Sequence, residues 1–237
     1  MNALACCLFL ASTSLCAATA DTASNAVDPV TEFRQLAAAP APVGCTARHL
    51  RLPVLGDGLE ITARPPVGKA PGSQHVLYRM SFNQVTEGWN WHPEAARANQ
   101  DYYHYKFLPI ASVDESRGNY RGEDKIGTPQ DFRIEWRYDY FFAFDNLYDF
   151  FARRVDDDAG FAAEVAADVP ADQVLMVADV VLRPPCISES TTFWKAVHAR
   201  PIDFTLKKRY LLGDLEAVLF IDRRTGAILH RIAKSAK

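Results

Sequence analysis

The chain has 237 residues, a formal net charge of −3 and 49% hydrophobic residues, which suffices for one sizeable core, and no low-complexity tract divides it. Its 26 Lys and Arg against 29 Asp and Glu argue against a nucleic-acid partner or a polybasic membrane binder.

Residues 4–15 are an almost unbroken run of apolar and small residues, followed by Ala18-Thr19-Ala20. A short apolar core with small residues at −3 and −1 fits a signal-peptidase groove and is too brief to span a bilayer. Residues 1–20 are expected to be a signal peptide cleaved after Ala20. The mature chain is then periplasmic or secreted, with no stable membrane insertion once the leader is gone. The first basic residue is Arg34, so the α-amino group alone supplies positive charge at the amino end. Cys16 follows Leu15, with Thr13 at −3, and does not suit lipid attachment. Cleavage removes Cys6, Cys7 and Cys16 and leaves Cys45 and Cys186. In an oxidising compartment these two are expected to form a disulfide, the alternative being two separately buried thiols.

Residues 21–42 are expected to be an N-terminal helix and an Ala/Pro linker, with Asp28 as cap, Pro29 at the first helical position and Pro40 and Pro42 beyond the end. Residues 43–237 then form a single α+β domain. Residues 45–52 and 59–64 alternate as strands and are predicted to form a hairpin across Gly56-Asp57-Gly58. Residues 75–82 read as a further strand. Residues 102–108 add an aromatic one.

The strongest pattern lies at 131–144. Phe132, Ile134, Trp136, Tyr138, Tyr140, Phe142 and Phe144 share one parity, while Arg133, Glu135, Arg137 and Asp139 share the other. Side chains alternate faces along a strand, so an apolar wall faces inward and an alternating-sign charge row faces out. Asp145 is predicted to cap a helix carrying Leu147, Phe150 and Phe151, and a second helix is predicted over 157–168. Residues 173–182 suit a central strand stopped by Pro184-Pro185, and 190–199 is ambiguous between helix and strand. Residues 203–211, 216–222 and 227–232 read as three strands, with Gly226 at φ > 0 in the last turn. The predicted fold is α+β, a predominantly antiparallel sheet with one face covered by a few helices.

There is no G-x-S-x-G, Walker, dinucleotide-glycine, H-E-x-x-H or C-x-x-C motif in the sequence, and no cofactor or catalytic residue is assigned. The candidate ligand-binding residues are Trp89, Asn90, Trp91, His92, Tyr102 and His104. Their rings can stack on flat ligands while Asn and His supply directional hydrogen bonds. Cross-strand packing against the 132–144 wall is the competing account of the same rings, although Gly88 and Pro93 place the first four near a loop. His92 and His104 with Glu94 or Asp101 fit no metal-ligand spacing, so no metal is expected. Glu87, Glu94 and Asp101 are the carboxylates nearest the cluster for acid–base cleavage. Ser188, Ser190, Thr191 and Thr192 before Lys195 and His198 read as helix capping rather than as a nucleophile set.

Residues 149–172 carry a net −5 and residues 200–237 a net +5. Two solvated surfaces account for this asymmetry, with a dipolar docking surface as the alternative. Three classes of function stay open. The favoured one is an exported non-catalytic module that binds a small molecule, glycan or protein partner in the envelope. An immunity-type inhibitor, with Asp156-Asp157-Asp158 covering a basic site, would be a specific case. The others are an envelope hydrolase acting on glycan or peptide, and a structural or assembly factor.

Overall fold

The computed structural model describes residues 26–38, 47–55, 59–64, 73–80, 106–123, 127–150, 160–166 and 169–235. Its amino-terminal helix, α1 (Pro29–Ala38), opens as expected. The Asp28 carboxylate accepts hydrogen bonds from the Val30 and Thr31 N–H groups at 3.2 and 3.1 Å, satisfying donors that a first helical turn leaves unpaired. The Thr31 hydroxyl also donates to it and is the largest influence holding this carboxyl below its ordinary pKa. One face of α1 lies on the main sheet. Phe33 is buried edge-on against Tyr140 at 5.8 Å, and the buried Glu32 meets the Arg48 guanidinium at 2.7 Å.

The main sheet has the order β1-β7-β8-β5-β4, with β9 also on β8. Its strands are β1 (His49–Pro53), β4 (Lys106–Glu123), β5 (Pro129–Phe144), β7 (Val174–Trp194), β8 (Ile202–Asp222) and β9 (Ile228–Ala233). A second sheet joins β2 (Leu59–Arg64), β3 (Ser73–Met80) and β6 (Gly160–Ala166). The inward wall of β5 is as expected. Phe132, Tyr138, Tyr140, Phe142 and Phe144 are buried, and Ile134 and Trp136 are half-buried. Opposite them, Arg133 pairs with Glu135 at 3.3 Å and Arg137 with Asp139 at 2.9 Å. The last turn also holds: Gly226 has φ 73 and its N–H donates to the Asp222 carbonyl at 2.8 Å.

Several expectations are corrected. The sheet is mixed, because β5 and β8 run parallel from Arg133↔Ile202 to Ala143↔Leu212 while the other pairs are antiparallel. A parallel seam suits strands buried on both faces, and at the core end of this one Phe142, Ala143, Leu211 and Leu212 are all buried. β1 and β2 do not form a hairpin. The alternating Leu50, Leu52 and Val54 are buried and β1 pairs with β7, while β2 pairs with β3. The segment expected to be a second helix contains β6, whose seven-residue ladder with β3 overrides the helix propensity of its alanines. β6 reaches the main core through Phe161, which is edge-on to Phe150 at 6.0 Å.

Among the described residues, Asp145 is followed by a 3₁₀ turn, Leu147–Asp149, in place of the expected helix. The Asn146 amide that could cap a helix is used instead to clasp both backbone groups of Leu215, at 2.8 and 3.0 Å. Thus α1 is the α-helix that covers a face among the described residues. Finally, Pro184-Pro185 does not stop β7. Residues between Leu182 and Ile187 bulge out of the ladder, with a cis Pro184–Pro185 bond and Cys186 at φ 63, so missing proline N–H groups cost no pairing. The ambiguous 190–199 stretch is accordingly strand up to Trp194, and the 203–211 and 216–222 strands are one, β8.

On β5 the face opposite α1 is charged along 133–139. Nearer the core it is apolar, with Phe141 stacked on Tyr210 at 5.6 Å and Phe107 at 5.4 Å from the same ring. Burial pushes the Tyr210 hydroxyl up to about 12, and the Asp139 carboxylate pushes it the same way. A raised phenol pKa means that above about pH 10 the unfolded chain loses this proton while the native chain keeps it, so stability falls as pH rises. Native protein is expected to lose about 2–3 kcal/mol through this group between about pH 10 and about pH 12. Urea unfolding of Tyr210→Phe against the parent over that range reads the difference; parallel pH profiles would contradict it.

Candidate ligand-binding face

The predicted cluster Trp89, Asn90, Trp91, His92, Tyr102 and His104 lies outside the described residues, as do Glu87, Glu94, Asp101, Asp156, Asp157, Asp158 and Cys45. The predicted residue that is described is Cys186, buried in the bulge of β7.

A different constellation is visible on the main sheet. Beyond the edge of the core covered by α1, four strands continue together as a blade: β7 from Ile187, β8 up to Arg209, β5 up to Tyr138 and β4 from Val113. Register places Glu189 and Thr191 of β7, Asp203, Thr205, Lys207 and Arg209 of β8, and Phe132, Trp136 and Tyr138 of β5 on the same face as the α1-covered wall. Tyr120 and Glu115 of β4 share it.

Aromatic rings and cations interleave along this face. Nearest the core, the Arg209 guanidinium lies 4.4 Å from the Tyr138 ring centre and 5.1 Å from that of Phe33. It donates to the Tyr140 hydroxyl at 2.8 Å and to Glu189 at 2.6 Å. Next, Trp136 has the Arg117 guanidinium at 4.6 Å and the Lys207 ammonium at 5.2 Å from its ring. The electron-rich indole thus holds two cations from its neighbouring strands. Arg117 donates to the Tyr138 hydroxyl at 3.0 Å and pairs with Glu115 at 2.9 Å. Lys207 shares Glu189 with Arg209. Burial pushes the Glu189 carboxyl up, but hydrogen bonds from Arg209 and Lys207 outweigh it and hold the group ionised below its ordinary pKa.

Farthest out, Tyr120 stacks on Phe132 at 5.2 Å and donates its hydroxyl to the buried Asp203 at 2.9 Å. Lys195 reaches the same carboxylate at 2.7 Å, and the Ala196 N–H donates to its other oxygen at 2.7 Å. Burial opposes the charge on Asp203, and these three donors overcome it.

This face sets Arg117, Lys195, Lys207 and Arg209 against Glu115, Glu189 and Asp203, and one carboxylate serves two of the cations. The middle of the row combines a half-buried flat ring with partly exposed cations, which suits a ligand bearing carboxylates along an extended backbone. Among the described residues no group of three His, Cys, Asp or Glu side chains is placed to hold a metal ion. Parity along β5 marks Trp136 and Tyr138 in the sequence. Arg117, Glu189, Lys207 and Arg209 carry no such mark, because they converge from three other strands through register. No protein-family model, curated protein or solved structure matches this chain.

Proposed function

We propose that this chain is an exported, non-catalytic module that binds a carboxylate-rich partner in the cell envelope across the face of its blade that continues the α1-covered wall. The observation that carries this reading is Trp136 with Arg117 and Lys207 against its ring and Arg209 one row behind. The surface is a flat strand platform, which fits an extended partner segment better than an enclosed small substrate. Export is supported by the 4–15 apolar run ending in Ala18-Thr19-Ala20.

A Cys45–Cys186 disulfide belongs to the same reading. The Leu182 N–H donates to the Arg48 carbonyl at 3.0 Å, so the chain three residues after Cys45 meets β7 four residues before Cys186. That short span is within reach of a bridge between the two positions.

The test is titration of the full chain with a glutamate-rich peptide and its lysine-rich counterpart, followed by calorimetry. The acidic peptide is expected to bind, more weakly as salt rises because the exposed cations are screened. Trp136→Ala combined with Arg117→Ala should weaken that binding about tenfold or more. Unchanged affinity in a variant with parental circular dichroism, or preference for the lysine peptide, would sink the proposal.

A further inference from the structure

The β4–β5 and β7–β8 ribbons both end at the far end of the blade, and exposed apolar side chains gather in the β7–β8 turn. Phe193, Trp194 and Val197 are 55%, 43% and 50% exposed, against Val113 and Ile228 as the other large exposed apolar residues among those described. Phe193 pairs with Thr205 and Trp194 with Phe204, so the two rings stand on opposite faces of the ribbon while Val197 occupies its apex. A flat partner docking on either face would cover one ring and leave the other in water. A surrounding medium covers all three.

The turn is also built to leave water. Val197 and Arg200 exchange two backbone hydrogen bonds, at 3.0 and 2.9 Å, and the Ile202 N–H donates to the Arg200 carbonyl at 2.8 Å. These three bonds satisfy part of the turn's backbone internally, which lowers the cost of moving it into a less aqueous interface. Trp194 packs on Phe204 at 5.5 Å, and Arg200 lies over that same ring at 5.4 Å, fixing the apolar tip with a cation behind it. Lys195, His198 and Arg200 surround the tip; of the acids nearby, Asp203 is buried under Lys195, and the exposed Asp131 lies on the neighbouring strand beside Gln130, whose amide donates to the His198 carbonyl at 3.4 Å. Aromatic and apolar residues at the point with bases just behind them match the headgroup zone of an anionic bilayer. Residues 202–207 of β8, at about 3.3 Å each, set this turn roughly 20 Å beyond the level of Tyr138. It can therefore reach a surface ahead of the core.

We infer that the β7–β8 turn is a reversible membrane anchor, with Phe193, Trp194 and Val197 entering the interface of an anionic bilayer and Lys195, His198 and Arg200 meeting its headgroups. Two rings and a valine give shallow, peripheral attachment, distinct from a spanning segment. The full chain should sediment with phosphatidylcholine vesicles containing phosphatidylglycerol and less with phosphatidylcholine alone. A Phe193→Ser, Trp194→Ser, Val197→Ser variant should lower the partition coefficient about tenfold or more, while Ile228→Ser, an exposed apolar site elsewhere, should leave it unchanged. No sedimentation of the parent chain with either vesicle would overturn the inference, as would equal partitioning of parent and triple variant. Self-association that the triple variant abolishes, without vesicle binding, would overturn it in favour of a second copy as the occupant.

Discussion

Gly213→Ala should lower the free energy of unfolding by roughly 3–5 kcal/mol. Gly213 lies in β8 opposite Leu182, where β7 and β8 approach so closely that a methyl group would sit 2.2 Å from the Val181 carbonyl oxygen and 2.9 Å from the Leu182 Cα. Both obstacles are backbone, so no rotamer change relieves the clash and the central strand pair must separate. That separation would disturb Leu182, Leu211 and Leu215, which are buried in the same core cluster. It would also disturb the contact between Arg183 and Asp214 beside the bulge. Urea unfolding monitored by circular dichroism measures the effect. A loss below about 1 kcal/mol, within the range of unremarkable substitutions, would show that the two strands do not approach this closely.

The second large effect is expected on breaking the proposed Cys45–Cys186 bridge. Joining positions so far apart in the chain restricts the unfolded ensemble, which on the chain-entropy account stabilises the fold by about 5 kcal/mol at most and typically by about 2–4 kcal/mol. Cys186 is the buried residue of the otherwise exposed bulge that re-registers β7 on β8, so loss of the bridge would free the segment that joins the core half of that strand to the blade half. Reductant, or Cys45→Ala, should lower the urea midpoint accordingly. A non-reduced peptide map should show the two cysteines in one linked mass. Free thiols at both positions, with a midpoint indifferent to reductant, would remove the bridge from the account.

Legibility in the sequence followed how local the physics was. The β5 wall, the Asp28 cap of α1 and the Gly226 turn depend on neighbours within a few residues, and each is where its pattern placed it. Features decided by distant partners were misread. The gap left between the 203–211 and 216–222 strands is continuous strand, in which Gly213 lets the Val181 carbonyl come close. Pro184-Pro185 resembles a stop, yet a bulge carries the pair outside the ladder. The alanines of β6 favour a helix until β3 supplies a ladder for them. The aromatic–cation face belongs wholly to this second class, because Arg117, Trp136, Glu189 and Lys207 are brought together by the register of four strands.

That register also shapes how the native state is reached. The β4–β5 and β7–β8 ribbons each join segments adjacent in the chain, so each can zip from its own turn on a fast, local timescale. The parallel contact between β5 and β8 cannot, since a long intervening connection must be closed before its first rung forms. Two preassembled ribbons colliding along one seam is therefore the natural slow step, and until they meet each leaves an unpaired edge open to a neighbouring molecule.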